Sequence, residues 1–567
     1  MTVINATDSL AGLAGYINAG ISSALRSFAV DYWPTHQADI GSGSSTAMTR
    51  VNALAHGRAV QAANDRSYFD DYYNRIHVLP QQLDLGNLVT AQTRTVEVWN
   101  AYPDTTQTLN SVASLNADGI TATPPAALPL AFAPLQSQIW TIAVSNAGSP
   151  VINATLSWLF AGLAAVDVQV TGDRLVAWVF VPNWASPVVE SLIWLTDIQQ
   201  ALDGSEYREP VRDTPRRQWE FDVLAQGQDR QQMEAVLYDW TGRNWALPVW
   251  PDVSYLAAAL AAGSLTVPAD TPDRDFAVGS LMMLWTDAQH YELAEVSAVG
   301  GSSLTLATAT VSAWPAQTRL YPCRLARLTD APQLARTTDR LTQTHARFEA
   351  VEPCSWPAVA PTASYLGLPV LEDHPNEAGG LSAQLSRQLL DLDADAGLVY
   401  VDDITGLAYP TQSHAWLKSG RSDRTALRSL LYWLQGKAAA LWVPSWADDL
   451  SLAADVVASA ATLTVARIGL TSHLHLQPGR RHLRVELYDG SIYYRAVTAV
   501  AVIDAATEQL QIDSALGVAF TAGDVRQINW LMLCRLASDT VQLSHMHDIN
   551  GLVTMNANWA GVPGEEP

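Results

Sequence analysis

Two stretches of this sequence decide how the chain is organised: "DRQQMEAVLYDWTGRNWALPVW" at Asp229–Trp250 and "DRTALRSLLYWLQGKAAALWVPSW" at Asp423–Trp446. Both begin with Asp-Arg, and in both a Gly follows that Asp by 13 residues, at Gly242 and at Gly436. Both also end in a Trp-rich segment with a Pro two residues before the last Trp. Similar residues in the same order at equal spacing predict an internal repeat.

Three shorter matches extend the repeat downstream. They are "GSLTV" ending at Val267 with "ATLTV" ending at Val465, "CRLA" from Cys323 with "CRLA" from Cys534, and "QLARTTD" ending at Asp339 with "QLSHMHD" ending at Asp548. The sequence therefore predicts that residues 182–350 and 369–560 superpose as two copies of one fold, with Gly242 over Gly436 and Cys323 over Cys534.

Each copy is predicted to be a helix followed by a β-rich module. Apolar residues recur at helical spacing in both copies, at Met233, Val236, Leu237 and Trp240 and again at Leu427, Leu430, Leu431 and Leu434. The Gly after each helix suits a left-handed C-cap. Two-residue alternation in segments such as "SLTVPA" and "TLTVARIG" then predicts strands of a small barrel or sandwich.

The residues before the repeat divide into two predicted parts. Apolar residues three or four apart over residues 9–33, and a second helical stretch at Thr49–Tyr73, predict an N-terminal helical arm over residues 1–80. Alternation in "TRTVEVWN", "QIWTIAVS" and "AVDVQV" predicts an immunoglobulin-like β-sandwich over residues 81–181. Residues 182–350 form the first repeat module, and residues 351–567 form the second with a C-terminal tail. The expected fold class is multidomain and mainly β, with α+β parts.

Composition narrows the classes of function. Of 567 residues, 48% are hydrophobic and 16% charged, which is enough apolar surface for several packed domains. The net charge is −23, and the only lysines are Lys418 and Lys437, so no basic run supplies the positive field that nucleic acid requires. We expect no nucleic-acid partner.

Cysteine usage and hydropathy indicate the compartment. Three cysteines without a CxxC pair cannot build a disulfide framework, which fits folding in a reducing cytoplasm. No stretch approaches the roughly 20 apolar residues that cross a bilayer. We expect neither secretion nor membrane insertion.

Histidines give the best metal candidate, in two groups: His473, His475 and His482, and then His545, His547 and Asp548. Alternate residues of a strand share a face, as metal ligands must. However, "SHMHD" stands where the first copy has "ARTTD", so the repeat does not require these ligands. We interpret them as surface residues and predict no metal and no cofactor.

Two pairs of acidic residues invite comparison with a glycosidase, Asp402-Asp403 and Asp448-Asp449. A glycosidase holds its two acids on opposite sides of one bond, whereas adjacent strand residues point to opposite faces. Turn or cap roles are the simpler interpretation. No phosphate loop, dinucleotide fingerprint or nucleophile elbow occurs in the chain. We therefore predict no catalytic residue.

The repeated tryptophans and cysteines are interpreted as core. Trp245, Trp250, Trp442 and Trp446 recur directly after the two helices, so shared packing explains them before subunit contact does. Cys323 and Cys534 are flanked by apolar strand residues and are expected to be buried small hydrophobic groups.

The segment "DGSEYREPVRDTPRRQWEFDVL", with its paired Arg216 and Arg217, leads through a short helix into "LPVWPD". This pattern resembles baseplate and distal tail proteins of long-tailed bacteriophages, including transposable Pseudomonas-type phages. The resemblance covers about residues 80–350, and residues 370–560 by way of the repeat. The second copy keeps "LWVPSW" but has "GLAYPTQSHAWLKSGRSD" in place of the paired arginines.

The resemblance implies a structural protein of the virion tail tip and no enzyme. Such a protein is made in the host bacterial cytoplasm and binds itself and other tail proteins, namely tube, hub and fibres. Because tail tubes are six-fold and tips three-fold in this family, a tandem repeat predicts a homotrimer with pseudo-six-fold symmetry, with a hexamer as the alternative. The competing functions are a carbohydrate-binding host-recognition protein and a glycan-degrading tail enzyme.

Overall fold

The computed structural model describes residues 72–88, 91–145, 151–201, 204–393, 395–473 and 476–567. Strands dominate these residues, which also contain three α-helices, so the fold is mainly β as predicted. The chain divides into two compact units, Met1–Val176 and Ala177–Pro567. The helices predicted before residue 72 lie outside the described residues. At the end of the range predicted as a helical arm, Ile76–Leu79 is a strand.

The described part of the first unit contains nine strands in two sheets. In chain order they are β1 (Ile76–Leu79), β2 (Gln82–Leu88), β3 (Gln92–Asn100), β4 (Gln107–Leu115), β5 (Ile120–Thr123), β6 (Leu130–Phe132), β7 (Ser137–Val144), β8 (Val151–Phe160) and β9 (Val166–Arg174). The sheet orders are β1-β3-β7-β5 and β2-β9-β8-β4-β6. The sheets share one apolar core, in which Trp140 of β7 meets Trp158 of β8 edge to face at 5.8 Å between ring centroids. A short strand, β10 (Val176–Ala177), spans the boundary between the units.

The second unit begins with three strands, followed by module 1, which we define as the elements from β14 to β23. The first three are β11 (Val188–Ile193), β12 (Thr196–Gln200) and β13 (Glu206–Pro210). Module 1 comprises β14 (Arg216–Gln226), α1 (Gln228–Trp240), β15 (Asn244–Pro248), β16 (Ser254–Tyr255), β17 (Thr266–Pro268), β18 (Leu281–Trp285), β19 (Tyr291–Val299), β20 (Ser303–Leu306), β21 (Arg319–Leu328), β22 (Ala335–Arg336) and β23 (Leu341–Ala350).

Three further strands lead into module 2, which we define as the elements from β27 to β35. The connecting strands are β24 (Ser364–Tyr365), β25 (Leu368–Pro369) and β26 (Ser382–Leu392). Module 2 comprises β27 (Tyr400–Lys418), α2 (Arg421–Leu434), β28 (Ala440–Pro444), β29 (Thr462–Ala466), α3 (Leu470–His473), β30 (His482–Leu487), β31 (Ile492–Val502), β32 (Thr507–Ile512), β33 (Val525–Leu536), β34 (Thr540–His545) and β35 (Val553–Gly561).

The strand pairings of the two modules correspond. β14 pairs with β23 as β27 does with β35, and β15 pairs with β21 as β28 does with β33. The meanders β17–β20–β19–β18–β21 and β29–β32–β31–β30–β33 also match. Even a register shift recurs, between Val296 and Ala298 in β19 and between Val497 and Ala499 in β31. β22 and β34 hold the same place beside β23 and β35.

The helices bury the faces that the apolar spacing predicts. Met233, Leu237 and Trp240 of α1 are buried, and Leu427, Leu431 and Leu434 of α2 are buried in turn. The four repeated tryptophans and both cysteines of the repeat are buried as well, as predicted. In these positions the periodicity of the sequence reflects packing directly.

Two details of the predicted repeat are wrong. Cys323 is paired with Pro248, the last residue of β15, whereas Cys534 is paired with Leu441, the second residue of β28. The counterpart of Cys534 is therefore Ala326, which pairs with the second residue of β15. The cap prediction holds only for α2: α1 ends at Thr241 in right-handed backbone, φ −52°, and Gly242 is not left-handed, whereas Gly436 has φ 68°.

Candidate functional site

The strand β11 joins the two modules. It runs antiparallel to β14 of module 1 on one side and to β34 of module 2 on the other. Glu190 is its central residue, opposite Trp219 of β14 and Leu543 of β34. The backbone ladder therefore continues from one module into the next through this strand.

Glu190 is fully buried at this joint and binds three side chains. Its Oε1 atom accepts a hydrogen bond from Arg217 Nε at 2.5 Å. Its Oε2 atom accepts one from Arg428 Nη2 and lies beside His545 Nε2, each at 2.8 Å. Arg217 belongs to module 1, and Arg428 and His545 belong to module 2, so one carboxylate connects both.

A second carboxylate, Asp275, lies in module 1 next to Arg217. It forms ion pairs with Arg217 and with Arg324 of β21, and Arg324 Nε donates to it at 3.1 Å. Because one guanidinium can donate in several directions, Arg217 binds Glu190 and Asp275 together. Asp275 is buried and extends the ionic network into the core of module 1.

The third carboxylate, Asp252, is also fully buried and faces helix α2. It forms an ion pair with Arg424, and Arg428 Nη1 lies 3.5 Å from its Oδ2 atom. Arg424 also donates to the Pro251 carbonyl at 2.9 Å. We call the set Glu190, Arg217, Asp252, Asp275, Arg324, Arg424, Arg428 and His545 the ionic joint.

The pKa shifts of Glu190 and Asp275 keep these two carboxylates charged, as their ion pairs require. Burial by itself would raise the pKa of the Glu190 carboxyl, but Arg217 and Arg428 hold that pKa well below its ordinary value. The same holds for Asp275. Burial would raise the pKa of its carboxyl, but Arg217 and Arg324 lower that pKa to about 2. Burial lowers the pKa of His545, although Glu190 opposes this, so the ring favours its neutral form.

Aromatic rings lie over two of the four guanidinium groups of the joint. The guanidinium of Arg217 lies 4.8 Å from the ring centre of Trp219, and that of Arg428 lies 4.7 Å from the ring centre of Trp356. Stacking on a ring is a favourable way to bury arginine. Tyr432 donates to the Cys354 carbonyl at 2.8 Å beside them. Arg217 and Arg428 are therefore packed against aromatic rings as well as ion-paired.

A second link ties the β12–β13 hairpin to module 2. Arg208 forms a bidentate pair with Glu565, at 2.7 and 2.6 Å. Arg535 of β33 forms another with Glu206, at 2.7 and 2.9 Å. Bidentate arginine–carboxylate pairs fix geometry as well as adding energy. The hairpin thus binds β33 of module 2 and also Glu565, which follows module 2 in the chain.

The histidines do not come together in one site, and the interpretation of them as surface residues is wrong for His482 and His545, which are buried. His545 contacts Glu190 through its Nε2 atom, and the Nδ1 atom of His482 lies 3.1 Å from the hydroxyl oxygen of Tyr365. His473 is exposed at the end of α3, and His475 lies outside the described residues. Within the described ranges, no group of three or more His, Cys, Asp and Glu side chains is arranged to hold a metal ion.

The acidic pairs have structural contacts, and the turn or cap interpretation is wrong for Asp402 and Asp403, which lie within the strand β27. Asp403 accepts from Arg387 at 2.5 Å across the β26–β27 hairpin, while Asp402 is exposed. Asp449 accepts from the Trp530 backbone at 2.8 Å and from the Ser445 hydroxyl, and burial raises its pKa. Its neighbour Asp448 is exposed. Neither pair places two carboxylates around a common space as a glycosidase requires.

Sequence reasoning missed most of the ionic joint. It singled out Arg216 and Arg217 as a pair, but the side chain of Arg216 is 62% exposed and that of Arg217 only 1%. A signal was present in "VVESLI", where Glu190 interrupts an apolar strand. A charge in such a run must find a partner or remain at the surface. Arg217 lies 27 positions away, whereas Arg428 and His545 lie 238 and 355 positions away, and no local pattern in the sequence connects them to Glu190.

Comparisons with known proteins add no family. No family model matches the chain, and no curated protein matches it. Among solved structures, similarity was found to the secreted serine protease VesC from Vibrio cholerae, with a TM-score of 0.15 and 10% identity over 43% of this chain and 48% of that one. Tripeptidyl peptidase 2 gives a TM-score of 0.18 and 9% identity over 89% of this chain and 38% of that one.

None of the helices in the described ranges is long and apolar enough to cross a membrane.

Proposed function

We propose that this chain is a structural component of a phage tail tip or baseplate, forming a ring that joins the tail tube to the hub or fibres. In this proposal modules 1 and 2 are duplicated copies of one fold. The chain works by binding further copies of itself and neighbouring tail proteins. It is not an enzyme, and its place is the virion after synthesis in the host cytoplasm.

The observation that carries the proposal is the ionic joint together with the strand β11. Two modules with corresponding strand pairings are held in one arrangement by a continuous ladder and by buried ion pairs. Replacing a buried ion pair with apolar residues is often neutral or stabilising, so such pairs are better suited to fixing a specific geometry than to adding stability. A ring component needs a fixed angle between successive modules, because closure depends on it.

The chemistry of the joint supports a scaffold over a catalyst. Four of its groups are arginines, which do not release protons at physiological pH. Its carboxylates Glu190 and Asp275 have lowered pKa values, which suits permanent ion pairs and not proton transfer.

The proposed assembly is a homotrimer with pseudo-six-fold symmetry, because three chains with two modules each present six similar surfaces. A hexamer of chains is the alternative. Native mass spectrometry of the purified protein tests this directly: three copies support the trimer, six support the hexamer, and a monomer over the full micromolar range contradicts both.

Antibody labelling of purified particles tests the tail location. Label confined to the tail tip is the expected result, and particles that lack the protein would refute it.

A glycan array run on the same preparation separates the competing function. Selective glycan binding by a protein that stays monomeric would favour the carbohydrate-binding alternative. Ring formation without glycan binding supports the scaffold.

A further inference from the structure

The strand β26 lies beside β27, the first strand of module 2, as β11 lies beside β14, the first strand of module 1. Glu190 of β11 lies opposite Trp219, and Ala383 of β26 lies opposite Gln412. Trp219 pairs with Phe348 across the sheet, and Gln412 pairs with Trp559. Phe348 and Trp559 are themselves equivalent. Phe348 lies opposite Leu328, the last residue of β21, and Trp559 lies opposite Leu536, the last residue of β33.

The two strands differ in what lies on their other side. β11 has β34 there, whereas β26 pairs only with β27 among the described residues. Every residue of β26 is exposed, and Leu385 is 63% exposed. An unpaired edge with exposed leucines is the kind of edge that other chains extend, and natural proteins usually protect such edges.

The counterpart of β34 in module 1 is the segment that contains β22. His545 lies opposite Val553, and Arg336 lies opposite Thr342, at the same place in their modules. Counting back along both segments sets Gln542 with Gln333 and Leu543 with Leu334, in agreement with the match of "QLSHMHD" to "QLARTTD". Among the described residues β22 pairs only with β23, so its outer side is also unpaired.

We propose that β26 of one copy pairs with residues 333–336 of a second copy, repeating between chains the contact that β11 and β34 make within one chain. Transferring the β11–β34 register sets Ser382 opposite Ala335, Ala383 opposite Leu334 and Gln384 opposite Gln333 of the second copy. This inference rests on the proposed function only in that the chain assembles with itself.

The pairing of β11 with β34 within one chain indicates that a second copy of the chain binds the free edge of β26. Its module 1 offers the matching edge, and its own β26 remains open for the next copy, so the contact is heterologous and propagates until a ring closes. Main-chain hydrogen bonds supply the affinity in this kind of strand addition. The buried charges of the ionic joint are absent from it, because Ala383 replaces Glu190 and Arg336 replaces His545.

Paired cysteines test the contact. Opposite residues of an antiparallel pair have Cα atoms about 4.5–5.5 Å apart, within the range that a disulfide spans. The double variant Gln384→Cys, Gln333→Cys should form disulfides under mild oxidation that link chains into covalent dimers, trimers and larger species on a non-reducing gel. Each single variant should leave most of the protein as uncrosslinked chains.

A mismatched pair is the control. Ser302 is exposed in the turn between β19 and β20, and Gln384→Cys combined with Ser302→Cys should not give the ladder. Because the three native cysteines are buried, they do not compete.

The outcomes separate this inference from the proposed function. Rings in native mass spectrometry without a disulfide ladder from the matched pair would overturn the β26 contact and leave the scaffold proposal standing. A monomer with no ladder would overturn both. A ladder from the matched pair alone supports the contact, and its size limit gives the number of copies.

Discussion

Glu190 and His545 lie 355 positions apart in the sequence, yet Nε2 of His545 lies 2.8 Å from Oε2 of Glu190. The two residues belong to strands that pair along six residues each. The contact is therefore part of a continuous joint between two modules and not an isolated pair, and its energetics can be measured.

The first prediction concerns the charge of Glu190. Glu190→Gln removes the carboxylate that Arg217 and Arg428 share and leaves the four buried arginines with only Asp252 and Asp275, so the free energy of unfolding should fall by about 3–5 kcal/mol. Urea unfolding followed by Trp fluorescence measures it. Glu220→Gln is the matched control, because Glu220 pairs with Arg347 on a partly exposed face of β14. That change should cost less than about 1 kcal/mol, and equal losses from both variants would contradict the joint.

The second prediction is that Glu190 and Arg428 are energetically coupled across the modules. In a double-mutant cycle with Glu190→Gln and Arg428→Gln, the double variant should lose less stability than the two single losses combined, with a coupling of about 1–3 kcal/mol. The reason is that each single change already breaks the ion pair between the two residues, so the second change cannot break it again. Additive losses would show that the 2.8 Å contact contributes no coupling.

The third prediction concerns pH. The folded pKa of His545 is below its ordinary 6.5, so below about pH 6.5 the unfolded chain binds a proton that the folded chain does not, and stability falls. Asp275 adds a further loss between about pH 4 and its folded pKa of about 2, where the unfolded carboxyl protonates first. Urea midpoints at pH 7.5, 6 and 5 should decrease in the wild type. His545→Gln should reduce this decrease, and an unchanged slope would contradict the assignment.

The fourth prediction contrasts two repeated glycines. A Cβ atom at Gly436 would lie 2.9 Å from the Cβ of Trp194 and 2.5 Å from Asp539 Oδ1, in left-handed backbone. Gly436→Ala should therefore lower the unfolding free energy by at least about 1–2 kcal/mol. At Gly242 nothing lies within 4 Å and the backbone is not left-handed, so Gly242→Ala should be neutral or slightly stabilising. Thermal unfolding of both variants decides the contrast.

The fifth prediction is that the native thiols are unreactive. All three cysteines are buried, and burial raises the pKa of each thiol. Ellman's reagent should label none in the folded protein within minutes and three per chain in urea. The exposed cysteine of Ser302→Cys, which lies outside the proposed contact between copies, should react at once and serves as the positive control. Rapid labelling of a native thiol would contradict its burial.

Positions governed by local periodicity were predictable from the sequence. The buried faces of α1 and α2 follow from apolar residues at helical spacing, and the repeated tryptophans were predicted as core and are buried. The alignment of Cys323 with Cys534 was not reliable, because β21 contains both "CRL" and "ARL" three residues apart. Only the hydrogen-bonded register shows that "ARL" at 326–328 corresponds to "CRL" at 534–536.

The sequence by itself determined that this protein is mainly β and that the apolar helix faces, the repeated tryptophans and the cysteines lie in its core, because hydrophobic burial at these positions follows local spacing. The tertiary structure alone decided where the charges go. Glu190 needs partners in a low-dielectric interior, and Arg217, Arg428 and His545 reach it only when β11 enters the ladder between β14 and β34. Strand order between distant segments leaves no local pattern, so the joint between the modules is a property of the folded chain.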